Sequence, residues 1–142
     1  MNHPLLMINI LNAFYWFDEA LQAAMKARGE TALNRTQSLV LCDIASGERR
    51  ASRIARHLGI SRQAINQVLN GLNALGIIVT RTDPEDSRAL LVEFSEDAAE
   101  LREIGTQALG RIEAVLASRI GADKVEGLRA ALAAEWGPSP ID

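Results

Sequence analysis

Cysteine is almost missing from this chain. Cys42 is the single one among 142 residues, so no internal disulfide can staple the fold and no thiolate zinc site can be built. A reducing compartment is the expectation. Histidine is nearly as scarce, with only His3 and His57, and no His/Cys/Asp/Glu group has metal-ligand spacing. No metal or other cofactor is therefore expected. Long apolar runs are lacking as well. The longest apolar start, Leu5 to Phe17, contains Asn9 and Asn12, has no Lys or Arg before it and runs into Asp18-Glu19, which suits neither a signal peptide nor a membrane span. The protein is expected in the cytoplasm with no membrane partner. Nothing resembles a nucleophile–base pair, a Gly-rich phosphate loop or a pair of catalytic carboxylates, so an enzyme is not expected.

Ordinary globular composition remains, with 48% hydrophobic and 23% charged residues. Its length is that of one domain with a sizeable core, taken as 1–142. The net charge of −3 hides an uneven distribution. Residues 35–94 hold eight of the 15 bases, and from Arg49 through Thr82 six arginines (49, 50, 53, 56, 62 and 81) occur without one Asp or Glu. A basic window on an acidic frame suggests a local anionic partner, against the plainer alternative of a solvated charged face.

Breakers divide the chain into helices. One from about Leu5 to Arg28 stops at Gly29. A second, from Arg35 to Ala45, has Asn34 as its N-cap and ends at Ser46-Gly47. A third, from Ala51 to Leu58, ends at Gly59, and a fourth, from Arg62 to Leu75, is capped by Ser61 and closed by Gly76. After Gly76, β-branched Ile77 to Arg81, turn chemistry at 82–86 and apolar Ala89 to Phe94 predict one hairpin. Ser95 is expected to cap a long helix to about Arg119. Val125, Leu128, Leu132 and Trp136 mark a last helix, ended by Gly137-Pro138.

Helix, tight turn, helix and hairpin is the order of a winged helix-turn-helix, a DNA-binding arrangement. The fold class is thus mainly α, with a two-stranded β wing. In the fourth helix Ile65, Val68, Leu69, Leu72 and Leu75 make a core stripe, while Arg62, Gln63, Asn66, Gln67 and Asn70 occupy the opposite face. Short amides both donate and accept, as an adenine edge in the major groove requires, and Arg62 suits a guanine edge or a phosphate. A merely solvated helix would favour Glu and Lys there.

Three segments carry a family resemblance: Ala55-Arg56-His57-Leu58-Gly59-Ile60-Ser61-Arg62, Leu72-Asn73-Ala74-Leu75-Gly76-Ile77, and Arg81-Thr82-Asp83-Pro84-Glu85-Asp86-Ser87-Arg88 followed by Ala89 to Val92. Together they resemble the multiple antibiotic resistance regulator (MarR) family of bacterial transcription factors, closely over 35–100 and more loosely beyond. The Asp-Pro-x-Asp-x-Arg wing is the specific element; a helix-turn-helix alone is not. The resemblance implies a homodimer whose first and last helices interlock, so 1–34 and 95–142 form the dimerisation region and 35–94 the DNA-binding lobe. It further implies recognition helices in successive major grooves, with wings in the flanking minor grooves.

On this basis the DNA-facing set is Ser61, Arg62, Gln63, Asn66, Gln67 and Asn70 at the fourth helix, Arg49, Arg50, Arg53 and Arg56 at the third, and Arg81, Asp86 and Arg88 on the wing. Arg88 resembles the wing-tip arginine and Asp86 the carboxylate that braces it, the alternative being a surface salt bridge within the hairpin. Ser87 departs from the family, which often has a second arginine there. Dimerisation also follows from the residues, because Leu5, Leu6, Ile8, Ile10 and Leu11 are too closely spaced for a single stripe.

The function implied is a ligand-responsive repressor binding double-stranded DNA at a pseudo-palindromic operator. Two alternatives stand beside it: a winged-helix protein adaptor without DNA binding, and a redox-responsive regulator using Cys42. Within the apolar run Leu39 to Cys42, however, the thiol reads as a buried small hydrophobe. Four of the six aromatic residues are consecutive, Phe14 to Phe17, so their rings point nearly all round the first helix. They serve either as packing and interface residues or, in part, as a ligand site. In the second case Tyr15 or Trp16 stacks on a small aromatic or anionic effector, and Arg49 holds an acidic group on it.

Overall fold

A computed structural model describes residues 3–140. Six helices and one hairpin follow in the order α1 (Leu6–Ala27), α2 (Arg35–Ala45), α3 (Ala51–Leu58), α4 (Arg62–Ala74), β1 (Ile78–Asp83), β2 (Asp86–Phe94), α5 (Ala99–Ile120) and α6 (Ala122–Ala133), with a short 3-10 turn at Glu96–Ala98 before α5. The chain is a mainly helical winged helix-turn-helix with a two-stranded antiparallel sheet.

Local chemistry fixes the helix starts. Asn34 and Gln37 form a reciprocal capping box on α2, each side chain accepting the other's backbone N–H at 2.9 Å. The Ser61 hydroxyl accepts the Ala64 N–H at 3.0 Å and so starts α4. Between α3 and α4, Gly59 adopts φ +68°, a left-handed turn that an L side chain would strain.

One core joins α2, α3, α4 and the root of the hairpin. Val40, Ile54, Ile65, Leu69, Leu72, Ile78 and Val92 are its most enclosed side chains. The long helices contribute little to it: α1 buries only Asp18 and Met25, and α5 only Ala108. Leu75 departs from the expected core stripe. It follows the last turn of α4 and is exposed.

The hairpin is longer than its sequence suggests. Its turn is only Pro84-Glu85, and the register jumps from Thr82 opposite Leu90 to Asp83 opposite Asp86, so Ser87, Arg88 and Ala89 form a bulge at the tip. Its root is also paired on the far side, where Arg50 bridges to Leu91 and the Val92 N–H donates to the Arg49 carbonyl at 2.7 Å.

Two expected termini differ. Ser95 does not cap α5 with its side chain; its hydroxyl donates to the Gly76 carbonyl and its N–H to the Ile77 carbonyl, clasping the hairpin root instead. The last helix ends at Ala133, and Trp136 folds back so that its indole N–H donates to the Ala131 carbonyl at 2.8 Å. Among the described residues no helix is long and apolar enough to cross a membrane.

Candidate nucleic-acid interface

Helix α4 buries Ile65, Leu69 and Leu72, which turns its other face outward. Arg62, Gln63, Gln67 and Asn70 are exposed there, and Asn66 is half-buried at the edge of the face. No hydrogen bond or ion pair to another described residue engages these five side chains, so their donors and acceptors remain available. Ser61 is committed as the N-cap, although its hydroxyl proton is still free to donate.

The predicted basic residues fall into two groups. Arg53, Arg56, Arg62 and Arg88 are exposed and form no ion pair among the described residues. Arg49 and Arg81 both approach Glu93 of β2, at 3.4 and 3.6 Å, and Arg50 approaches the buried Asp83 at 3.4 Å. Asp83 also accepts the Glu85 N–H at 2.9 Å, so Arg50 and Asp83 tie the start of α3 to the wing turn. Arg50 therefore acts first as a positioning residue.

Asp86 braces Arg88 differently from what the motif suggests. Its carboxylate accepts the Arg88 backbone N–H at 3.0 Å and leaves the guanidinium without an ion pair among the described residues. Nor does Arg88 take part in a salt bridge within the hairpin. Glu48, just before α3, accepts the N–H groups of Arg49 and Arg50 at 2.9 and 3.0 Å. The Arg50 N–H first, then that of Arg49 and the charges of Arg53 and Arg50, hold its carboxyl below the ordinary range.

A second feature lies away from this face. A cavity of about 370 Å³ opens between α1, α2 and α5, below the hairpin root. The ring pair in it is Phe14 and Phe17, three apart on one side of α1, joined by Phe94. Tyr15 and Trp16 do not line it, and the expected ligand set is not brought together. The Tyr15 ring instead lies beneath the Arg35 guanidinium at 3.9 Å, while Arg49 is held at the wing by Glu93. A spacing signal for the true lining is present in the sequence: residues 14, 17, 18, 21, 22 and 25 recur at three and four along α1, and all six face the cavity.

Within that stripe Asp18 and Gln22 break the apolar pattern. The Gln22 amide donates to Asp18 at 3.1 Å and to the Ser38 hydroxyl at 3.0 Å, and its oxygen accepts the Leu33 N–H at 2.7 Å. This network links α1 to the start of α2. Cys42 also stands on the cavity wall and is exposed, not buried among the core residues. Desolvation first, then the charges of Asp18 and Asp43, push its thiol up, which disfavours the thiolate.

Residues 33–89 match the family model of the MarR family. No curated protein matches the sequence. Among solved structures, the apo form of wild-type MarR from E. coli is 23% identical with a TM-score of 0.70, covering 93% of this chain and 96% of that one. The PcaV transcriptional regulator from Streptomyces coelicolor, in complex with its natural ligand, is 18% identical with a TM-score of 0.58, covering 95% and 100%. A mutant of MepR from S. aureus bound to an oligodeoxyribonucleotide is 16% identical with a TM-score of 0.53, covering 92% and 94%.

Proposed function

We propose that this chain, whose residues 33–89 match the family model of the MarR family, is a member of that family: a cytoplasmic, homodimeric repressor that reads a pseudo-palindromic site in double-stranded DNA through α4. The observation that carries this reading is the outward face of α4, where uncharged amides and Arg62 stand free of internal partners beside the unpaired Arg53 and Arg56. Amides offer paired donors and acceptors to base edges, while the arginines meet phosphates. The wing adds Arg88, a cation suited to the negative potential of a narrow minor groove.

The cavity between the long helices and the lobe is the effector site in this reading, its guest lying against Phe14, Phe17 and Phe94. Such a guest releases DNA only by binding the non-binding geometry more tightly, so guest and DNA weaken each other equally. The adaptor alternative calls for an apolar outer face on α4, which is not what stands there. A redox switch at Cys42 calls for a depressed thiol pKa, opposite to the direction found.

Selection from a pool of randomised duplexes tests the reading. An inverted repeat with half-sites about one helical turn apart is expected. Gln63→Ala and Gln67→Ala are each expected to cost about 1 to 3 kcal/mol on the selected site and much less on random DNA. Failure to enrich any sequence, or equal losses on both DNAs, would overturn it.

A further inference from the structure

The walls of the cavity are apolar, but the charges set in them are predominantly negative. Asp18 is 6% exposed and lies on the wall. Its ion pair is poorly aimed: Arg35 Nε lies 3.0 Å from Asp18 Oδ2, yet this buried N–H has no hydrogen-bond partner among the described residues, and the only donor to the carboxylate there is the neutral Gln22 amide at 3.1 Å. The Arg35 guanidinium rests on Tyr15, and neither residue lines the cavity. A second carboxylate, Glu30, also faces the cavity, half-buried and without an ion pair among the described residues. The one cation on the wall among the described residues, Arg102, is exposed and already stacked on Phe94 at 4.1 Å.

Resting on the reading of this cavity as the effector site, we propose that its guest is a lipophilic organic cation. The guest is an amine or quaternary ammonium on a flat apolar group, drawn to Asp18 and Glu30 and packed against Phe14, Phe17 and Phe94. The faces of these rings attract a cation, most strongly where water is excluded. A buried carboxylate with a poorly aimed partner gains from a better one, since removing both charges from water is offset only by good geometry. An aromatic acid would meet two carboxylates and only one exposed arginine. Desolvation first, and then the Asp18 charge on the same wall, raise the Cys42 thiol. The volume, about 370 Å³, is in the range of small-molecule pockets. A cation that takes Asp18 from Arg35 removes one of three α1 contacts of the first residue of α2, leaving it on Tyr15 and Glu19, which would pass occupancy to the DNA-binding lobe.

Three probes of one shape and different charge decide the matter: 1-naphthylmethylamine, 1-naphthylmethanol and 1-naphthoate, titrated calorimetrically into the full-length protein. The amine is expected to bind at least about tenfold more tightly than the alcohol, and the acid to bind worst. Asp18→Asn and Glu30→Gln are each expected to narrow the gap between amine and alcohol, by weakening the amine more than the alcohol. The proposal is overturned if the acid matches the amine, if the amine binds no better than the alcohol, or if none of the three binds. Asp18 is buried and its substitution can unfold the chain, so Glu30→Gln is decisive alone: a folded variant with an unchanged preference also overturns it. DNA binding without any probe is measured in parallel. Its absence would remove the regulatory reading and leave the charge preference of the cavity standing on its own result.

Discussion

Arginines that look equivalent in the sequence differ in what they can offer DNA. A guanidinium already facing a carboxylate of the same chain brings less uncompensated charge to a phosphate than a free one. Arg53→Ala and Arg56→Ala are therefore expected each to lower the slope of log affinity against log salt by about 1, with similar losses on all sequences. Arg49→Ala and Arg81→Ala, whose side chains share Glu93, are expected to change the slope less. Equal slopes for all four variants would show that the ion pairs dissolve on the DNA. Sequence alone could not make this division, because Glu93 stands 44 residues beyond Arg49. Glu48 adds a pH dependence of known sign. Its folded pKa is depressed, so its contribution to stability is fully present above the ordinary carboxylate range and is lost as pH falls through the folded value. Thermal melts of wild type and Glu48→Gln are expected to differ near neutrality and to converge in acid.

Helices were legible wherever their signals are local. The Asn34 to Gln37 box, the Ser61 cap and the Gly59 turn act over three or four residues, and the bounds of α2 and α3 agree with the sequence reading. Elements defined by distant partners were not legible. Ser95 has the look of an N-cap, yet its hydroxyl is taken by the Gly76 carbonyl. Trp136 keeps the spacing of α6, yet it lies past the helix end. The wing behaves similarly, since its tip is positioned by a contact with α3 that no local pattern reveals. Arg50→Ala leaves Asp83 buried with only the Glu85 N–H as partner, and an uncompensated buried carboxylate is costly. Loosening is expected to be confined to the hairpin: faster amide exchange at Leu91 and Val92, weaker binding on every sequence, and unchanged exchange in α4. Altered base preference in this variant would show instead that Arg50 reads DNA directly.

At the scale of the whole molecule, a single copy leaves too much apolar surface in water. Leu5, Leu6 and Met7 are 68%, 71% and 76% exposed at the start of α1, and Leu128, Leu132 and Trp136 are exposed at the other end of the chain. Beside Leu128 and Leu132 lies a groove of about 400 Å³, lined also by Phe17, Leu116 and Val125. Contiguous patches of this kind mark association surfaces, and a two-fold partner would lay the start of its α1 against α6 and receive the same in return. The DNA reading depends on this geometry, because one α4 can contact only one half-site while two related by a dyad reach grooves about 34 Å apart. Leu6→Glu together with Leu132→Glu is expected to halve the mass seen by sedimentation at micromolar concentration. Far-ultraviolet helicity should be largely kept, since neither residue belongs to the core shared by α2, α3 and α4. Affinity for the full site should then fall to that of a half-site, while Gln63→Ala in the same background still distinguishes cognate from random DNA. A wild-type protein that sediments as a stable monomer, or a monomeric variant that binds the full site as tightly as wild type, would separate the apolar ends from DNA recognition and leave them needing another partner.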